Sequence, residues 1–294
     1  MKHVDIYQTV TDTIIQAIEN GIEGKCEMPW HGMSALPSNA KTQNSYNGIN
    51  IPQLWACQVI GGYSKGVWAT YRQWAELGAQ VKKGSKGVQV VFWKKYEQES
   101  QEDPENTNIR MFARYSTVFN IDQVEGYEAP ALEFEPSNIE PNELAENLLK
   151  STGADIRHIQ PSAYYDMVND YINLPTPESF KATSDGTATQ NYFAVATHEL
   201  THWTGHKKRL DRINLSKFGS PEYAFEELVA ELGSAMCCAI TGIESAVRED
   251  HSKYINNWLK ALKNDKKFIF VASSQAQKAV DYLYSFQEKQ KEVA

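Results

Sequence analysis

Residues 198–202 read His-Glu-Leu-Thr-His, and this His-Glu-x-x-His pattern decides how the second half of the chain is interpreted. On an α-helix, side chains four positions apart share one face, so His198 and His202 can direct two imidazoles at one metal ion. Glu199 can then act as a general base toward a water molecule at that ion. The alternative is a helix whose histidines are only solvated or hydrogen-bonded, and it is disfavoured because further ligands follow downstream.

The third metal ligand has two candidate sources. A catalytic zinc ion usually takes three protein ligands. In one extension of the motif a third histidine lies six residues after the second, but Lys208 occupies that position, and His206 is expected to be a surface loop residue. The other extension uses a glutamate from the next helix. Glu227 and Glu231 share a helix face, so we expect Glu227 as the third ligand and Glu231 as an acceptor for a histidine N–H. Glu226, about 100° away around the helix, is the second choice.

The composition is that of a globular protein that is not coated in nucleic acid. Of the 294 residues, 41% are apolar and 22% are charged, which is enough material for two domains with cores. The net charge of −8 argues against a wholly basic surface but still allows a local basic groove. The four cysteines form no C-x-x-C pair and are expected to be reduced thiols. With no signal peptide and no long apolar run, the sequence predicts a cytoplasmic protein without a membrane partner.

The pattern of the chain predicts an α+β protein of two domains. A small α+β domain should occupy residues 1–130, and a mainly helical domain residues 142–294, with a proline- and glutamate-rich linker at 131–141. A polar segment at 97–110 is expected to be a long exposed hairpin loop. Periodicity predicts helices at 5–21, 50–60, 70–77, 142–150, 190–203, 222–240, 251–262 and 271–287, and strands at 88–94, 115–121, 163–165 and 170–174.

The segment between Gly61 and Tyr96 concentrates positive charge and aromatic rings in an otherwise acidic chain. It holds seven basic residues, opposed only by Glu76. Bases stack on aromatic rings and phosphates bind lysine and arginine, so the segment suits single-stranded nucleic acid. The competing interpretation, in which the aromatics form a small core that the lysines solvate, remains open. The residues predicted to contact DNA are Lys65, Trp68, Tyr71, Arg72, Lys82, Lys83, Lys86, Trp93 and Lys94.

Four stretches of the sequence together match a known family: Trp-Ala-Thr-Tyr-Arg-Gln (68–73), Val-Val-Phe-Trp-Lys (90–94), the run from His198 to Gly205, and Phe-Glu-Glu-Leu-Val-Ala-Glu (225–231). Through them, and along nearly its whole length, the chain resembles the ArdC-type antirestriction proteins of plasmids and phages. It implies an N-terminal single-stranded-DNA-binding domain followed by a zincin-like metallopeptidase domain. It also implies a metal held by the two histidines and a downstream acid, and protection of incoming DNA from host restriction.

The resemblance leaves the chemistry of the second domain open. Zinc is the expected metal, although another divalent ion can occupy such a site. The partners expected are single-stranded DNA and a protein or peptide substrate. One alternative is a DNA-binding protein whose metal site is purely structural, and for which Glu199 would be dispensable. The other is a regulatory metallopeptidase that cleaves a DNA-bound repressor or restriction subunit.

Overall fold

The computed structural model describes residues 5–24, 28–99, 107–127, 141–183, 186–213, 220–243 and 252–293. It confirms the predicted mixture of helices and sheets. The helices are α1 (Ile6–Gly24), α2 (Asn50–Gly61), α3 (Tyr71–Glu76), α4 (Pro141–Thr152), α5 (Ala188–Thr204), α6 (Pro221–Thr241), α7 (Ser252–Asn264) and α8 (Phe268–Val293). The strands are β1 (Ser38–Asn39), β2 (Val67–Thr70), β3 (Gln80–Val81), β4 (Val88–Glu99), β5 (Thr107–Asn120), β6 (Val124–Glu125), β7 (Ile156–Arg157), β8 (Tyr164–Asp166) and β9 (Tyr171–Asn173).

The chain forms two compact units whose limits differ from the predicted domains 1–130 and 142–294. The first, here unit 1, joins residues 1–36 and 47–61 to residues 130–294, and unit 2 consists of residues 37–46 and 62–129. The reason lies in α1, whose apolar stripe (Ile6, Val10, Ile14 and Ile18) is buried. That stripe packs among α2 and α7, so the first helix contributes to the core of unit 1. Of the predicted linker 131–141, only Pro141 falls within the described residues.

Unit 2 is built on a mixed four-stranded sheet in the order β1-β2-β5-β4. The indole of Trp74 is buried beside Ala69, Val81 and Val124, and its Nε1–H donates to the Phe119 carbonyl at 3.0 Å. The predicted loop at 97–110 was too long, because the β4–β5 ladder continues to the pair Glu99 and Thr107. This ribbon carries many polar residues, and so the sequence lacked the alternation that marks a half-buried strand.

Unit 1 places two helices, α5 and α6, against each other, and a small sheet in the order β7-β9-β8 lies beside α5. Helix α5 begins with a capping box, in which Thr187 and Gln190 satisfy each other's backbone N–H groups. Helix α6 begins at the cap Ser220 and ends at Gly242, whose φ of 72° is a left-handed conformation that favours glycine. These signals fix where the two helices begin and where α6 ends.

Two expectations from composition concern cysteines and membranes. Cys57, Cys237 and Cys238 are free thiols, as predicted, and Cys26 lies outside the described residues. Burial raises the pKa of Cys57 to about 12 and that of Cys238 to about 11, so both stay protonated at neutral pH. Among the described helices, none combines the length and apolar character needed to cross a membrane.

Candidate functional site

Three side chains converge inside unit 1 at the contact between α5 and α6. One ligand atom each from His198, His202 and Glu227 lies within 4.8 Å of the others. The Nε2 atom of His198 is 3.5 Å from Glu227 Oε2, and the Nε2 atom of His202 is 3.7 Å from Glu227 Oε1. Two imidazole nitrogens and a carboxylate form a donor set that fits a divalent transition metal.

The two helices approach closely because α6 presents small residues to α5. Gly233 lies against Thr201, and Ser234 Oγ is 2.9 Å from Thr197 Oγ1 and donates to the Ala194 carbonyl. The predicted close packing of α6, inferred from the Ala, Gly and Cys that follow Glu231, is confirmed. This contact sets how far the histidines of α5 stand from the glutamates of α6.

Gly233→Ala is therefore expected to destabilise the protein, contrary to the usual effect of this change. In a helix interior, alanine for glycine normally adds about 1 kcal/mol of stability. Here we expect a loss of about 1–3 kcal/mol, because the new Cβ would meet Thr201 Cγ2 at 2.6 Å. Denaturant unfolding measures the change. Adding Thr201→Ala should restore part of the loss, and a G233A protein more stable than wild type would contradict this packing.

Each histidine has a carboxylate behind its other ring nitrogen. The His202 Nδ1 atom is 3.1 Å from Glu226 Oε1, and the His198 Nδ1 atom is 3.6 Å from Glu231 Oε2. Arg212 donates to both oxygens of Glu226 at 2.8 Å. Burial raises the pKa of Glu226, but the hydrogen bonds from Arg212 and His202 lower it more. Glu226 thus faces the Nδ1 atom of His202, whereas Glu227 faces the Nε2 atom. Arg212, which holds Glu226 in place, is a residue of this site that the sequence did not indicate.

The carboxylate of Glu227 is held in its ionised form. Burial raises its pKa, but the hydrogen bond from His198 and the charge of His202 lower it more, leaving the pKa at about 2. The Tyr223 hydroxyl also hydrogen-bonds Glu227, and burial raises the pKa of that phenol well above its usual value. A carboxylate that is already ionised at neutral pH is ready to bind a cation.

The remaining residues predicted for this site occupy distinct positions. Glu199 is buried on α5, one residue after His198. The expectation that His206 is a surface residue was wrong: it is only 5% exposed, and its Nδ1 atom lies 3.8 Å from Asp170 Oδ2. Backbone hydrogen bonds fold residues 205–213 back over the end of α5, and this burial of the ring left no local pattern in the sequence.

The aromatic residues of unit 2 divide into a core set and an exposed set. Trp68, predicted to contact DNA, is fully buried on β2, so its ring is closed to a stacking base. Tyr71 and Trp93 are half exposed, as is Tyr115, which was not among the residues predicted to contact DNA. Strand alternation was the signal for Tyr115, because Tyr115 and Thr117 project from the face of β5 opposite to the one that carries Ser116 and Val118.

Sheet register puts the exposed rings of Trp93 and Tyr115 on one side. Val91 pairs with Tyr115 and Trp93 pairs with Ala113, so the rings of Trp93 and Tyr115 are diagonal neighbours on one face. Phe119 lies two pleats further along the same face, and its ring centroid is 6.4 Å from that of Tyr71. We call this set the aromatic face; its members are Tyr71, Trp93, Tyr115 and Phe119.

Most of the predicted basic residues are exposed in unit 2. Arg72 is paired with Glu76 at 2.8 Å, and Lys82 Nζ donates to the Asp122 carbonyl at 3.0 Å. The side chain of Lys94 lies outside the described part of the chain. Among the basic residues predicted to contact DNA, the exposed ones are Lys65, Arg72, Lys82, Lys83 and Lys86.

Comparison with known proteins assigns both halves of the chain to families. Residues 4–119 match the N-terminal domain of anti-restriction factor ArdC, and residues 143–275 match a zincin-like metallopeptidase family, MPTase-PolyVal. The metal-free crystal structure of the antirestriction protein ArdC from plasmid R388 matches with a TM-score of 0.78 and 38% identity, over 97% of this chain and 99% of that one. Its Mn(II)-bound structure matches with a TM-score of 0.75 and 38% identity, over 96% and 98% of the two chains.

Sequence relatives extend the comparison. The uncharacterized protein y4eC of Sinorhizobium fredii (strain NBRC 101917 / NGR234) is 42% identical over 292 residues, covering 96% of this chain and 92% of that protein. A DNA primase TraC of Escherichia coli is 35% identical over 97% of this chain but only 27% of the primase. This chain therefore spans about a quarter of that primase's length.

Proposed function

Because this chain belongs to the ArdC family of antirestriction proteins, we propose that it protects DNA entering a cell by binding single strands and cleaving a protein substrate. Unit 2 is the proposed DNA-binding part, and unit 1 the proposed divalent-metal-dependent peptidase. The observation that carries the proposal is the convergence of His198, His202 and Glu227 beside the buried Glu199. Restriction nucleases meet incoming DNA inside the cell, which places the proposed activity in the cytoplasm.

The residues of unit 1 suit this chemistry. A divalent ion held by His198, His202 and Glu227 would supply Lewis acidity toward water and a scissile carbonyl. Glu199 would accept a proton from the attacking water and return it to the leaving amine. The phenol of Tyr223, kept protonated by burial, is a candidate donor to the oxygen of the attacked carbonyl. We propose zinc as the metal, and the Mn(II)-bound R388 structure supports a site that accepts other divalent ions.

The aromatic face supports the DNA-binding part of the proposal. Exposed rings on one side of a sheet can stack on successive bases, while nearby lysines bind phosphates without reading sequence. The TraC primases contain a region similar to this whole chain, which supports a role for it in DNA metabolism.

Substitution of the aromatic face should weaken single-strand binding selectively. We expect Trp93→Ala and Tyr115→Ala each to cost about 1–3 kcal/mol of binding, because each removes one stacking ring. Fluorescence anisotropy with a labelled oligonucleotide at fixed salt measures the loss. Phe92→Ala is the matched control, because Phe92 is 46% exposed, against 45% for Trp93, yet projects from the opposite face of β4. Equal weakening by F92A and W93A would contradict the assignment of this face.

Removing positive charge should change the salt dependence of binding. For Lys82/Lys83/Lys86→Ala, we expect the slope of log affinity against log salt to fall by about 2, given roughly 0.7 per lost phosphate contact. A matched control removes three exposed lysines of unit 1, in Lys181/Lys260/Lys278→Ala. The control changes the net charge equally, so a similar slope change in both proteins would show that these lysines do not contact the strand.

A further inference from the structure

A histidine far from the motif in sequence lies against the metal centre. His31 follows α1 within the N-terminal part of unit 1, and its imidazole is buried, with 8% of the residue exposed. Its Nε2 atom is 2.8 Å from Glu231 Oε1, and Glu231 is only 3% exposed. This contact joins two residues that are 200 positions apart in the chain.

The local backbone fixes which nitrogen of this imidazole can donate a hydrogen bond. The Met28 N–H donates to His31 Nδ1 at 3.1 Å, while the His31 N–H donates to the Met28 carbonyl at 2.9 Å. A ring nitrogen that accepts a hydrogen bond carries no proton, so this geometry places the N–H of the ring on Nε2. The Nε2–H group therefore donates to Glu231.

That donation orients Glu231 toward the motif. With Oε1 engaged by His31, the other oxygen, Oε2, lies 3.6 Å from His198 Nδ1. The second histidine has a parallel arrangement, in which Glu226 stands behind His202 and is held by Arg212. Each motif histidine thus has a carboxylate near Nδ1, and each carboxylate has its own donor from elsewhere in unit 1.

We infer that His31 is a positioning residue of the metal centre, which fixes Glu231 so that His198 presents Nε2 to the ion. The inference rests on the proposed function of His198, His202 and Glu227 as ligands. Outer partners of this kind set the tautomer and orientation of a ligating histidine. His31 lies within residues 4–119, which match the ArdC N-terminal family, so the metallopeptidase centre depends on a residue outside the matched metallopeptidase segment.

Variants of His31 in the full-length protein test the inference through metal affinity. His31→Leu removes the donor, and we expect Co(II) and Zn(II) affinity, measured by competition with a chromophoric chelator, to fall about 10–100-fold. The Co(II) d–d spectrum should shift, because the orientation of His198 changes. His31→Gln offers an amide N–H of similar reach and should recover most of the affinity. His158→Leu, at an exposed histidine bonded to the carbonyls of Leu174 and Pro175, is the matched control.

The outcomes separate this inference from the proposed function. If the wild-type protein binds no divalent ion, both are overturned. If it binds tightly and H31L shows wild-type affinity with an unchanged Co(II) spectrum, only the role of His31 is overturned. If H31L does not fold, the comparison between H31Q and His31→Asn decides. The shorter asparagine cannot reach Glu231, so equal affinities for these two variants would contradict the inference.

Discussion

Glu227→Ala should release the divalent ion from this protein. Glu227 supplies the only carboxylate of the converging triad in the described residues, and its oxygens lie between the two Nε2 atoms. We expect its loss to lower metal affinity by more than the roughly 100-fold that removal of an outer partner costs. Isothermal titration with Zn(II) and Mn(II) measures the change. Glu222→Ala, in the exposed first turn of α6, is the matched control and should bind metal normally.

Glu226 provides the sharper comparison, because it is the neighbouring candidate for the third ligand. Glu226→Gln keeps an oxygen for Arg212 and His202, so we expect it to reduce metal affinity by at most about 10-fold. Glu226→Ala should do more damage, since it leaves the buried Arg212 without its carboxylate. If E227A retains the metal and E226Q loses it, the third ligand is Glu226 and not Glu227.

Glu199→Gln should abolish peptide-bond cleavage while leaving the metal in place. A positioned general base contributes about 10²–10⁴-fold to rate, and glutamine fills the same buried volume without accepting a proton. Cleavage is measured as new amino termini released from a proteome-derived peptide library, with metal content determined on the same samples. Thr189→Ala, at an exposed position in the first turn of the same helix, is a control that should leave cleavage near the wild-type level.

The Glu199→Gln variant also distinguishes, in cells, the proposed antirestriction peptidase from a DNA-binding protein with a structural metal and from a regulatory peptidase. If antirestriction is measured as survival of incoming plasmid in a restricting host, loss of protection in E199Q supports the proposed peptidase. Full protection by E199Q would favour a DNA-binding protein with a structural metal. Cleavage that requires both single-stranded DNA and a DNA-bound protein would favour the regulatory peptidase. Cleavage by E199Q at the wild-type rate would show that Glu199 is not the general base.

The parts of the site that could be predicted are those fixed by helix periodicity. His198 and His202 share a face because they are four residues apart, and Glu227 and Glu231 share a face for the same reason. This spacing, together with the known extension of the motif by a glutamate from the next helix, favoured Glu227 over Glu226, and these three side chains do converge. That these residues bind metal remains a prediction.

The parts that could not be predicted depend on contacts distant in sequence. His31 and Arg212 have no periodic pattern that links them to the motif, and only the tertiary fold brings them to Glu231 and Glu226. Trp68 shows a second limit. Its aromatic and basic neighbourhood resembles a stacking surface, but composition does not tell which rings a sheet buries, and its pairing with Asn120 on β5 puts it in the interior.

The proposed chemistry of unit 1 depends on one divalent ion held by the two motif histidines and Glu227. The most direct measurement is a crystal structure of the Zn(II)- or Mn(II)-loaded protein with anomalous diffraction at the metal edge. We expect a single anomalous peak within about 2.0–2.2 Å of His198 Nε2, His202 Nε2 and a Glu227 oxygen. An ion bound instead by Glu226, or a fully loaded protein with no peak between α5 and α6, would contradict it.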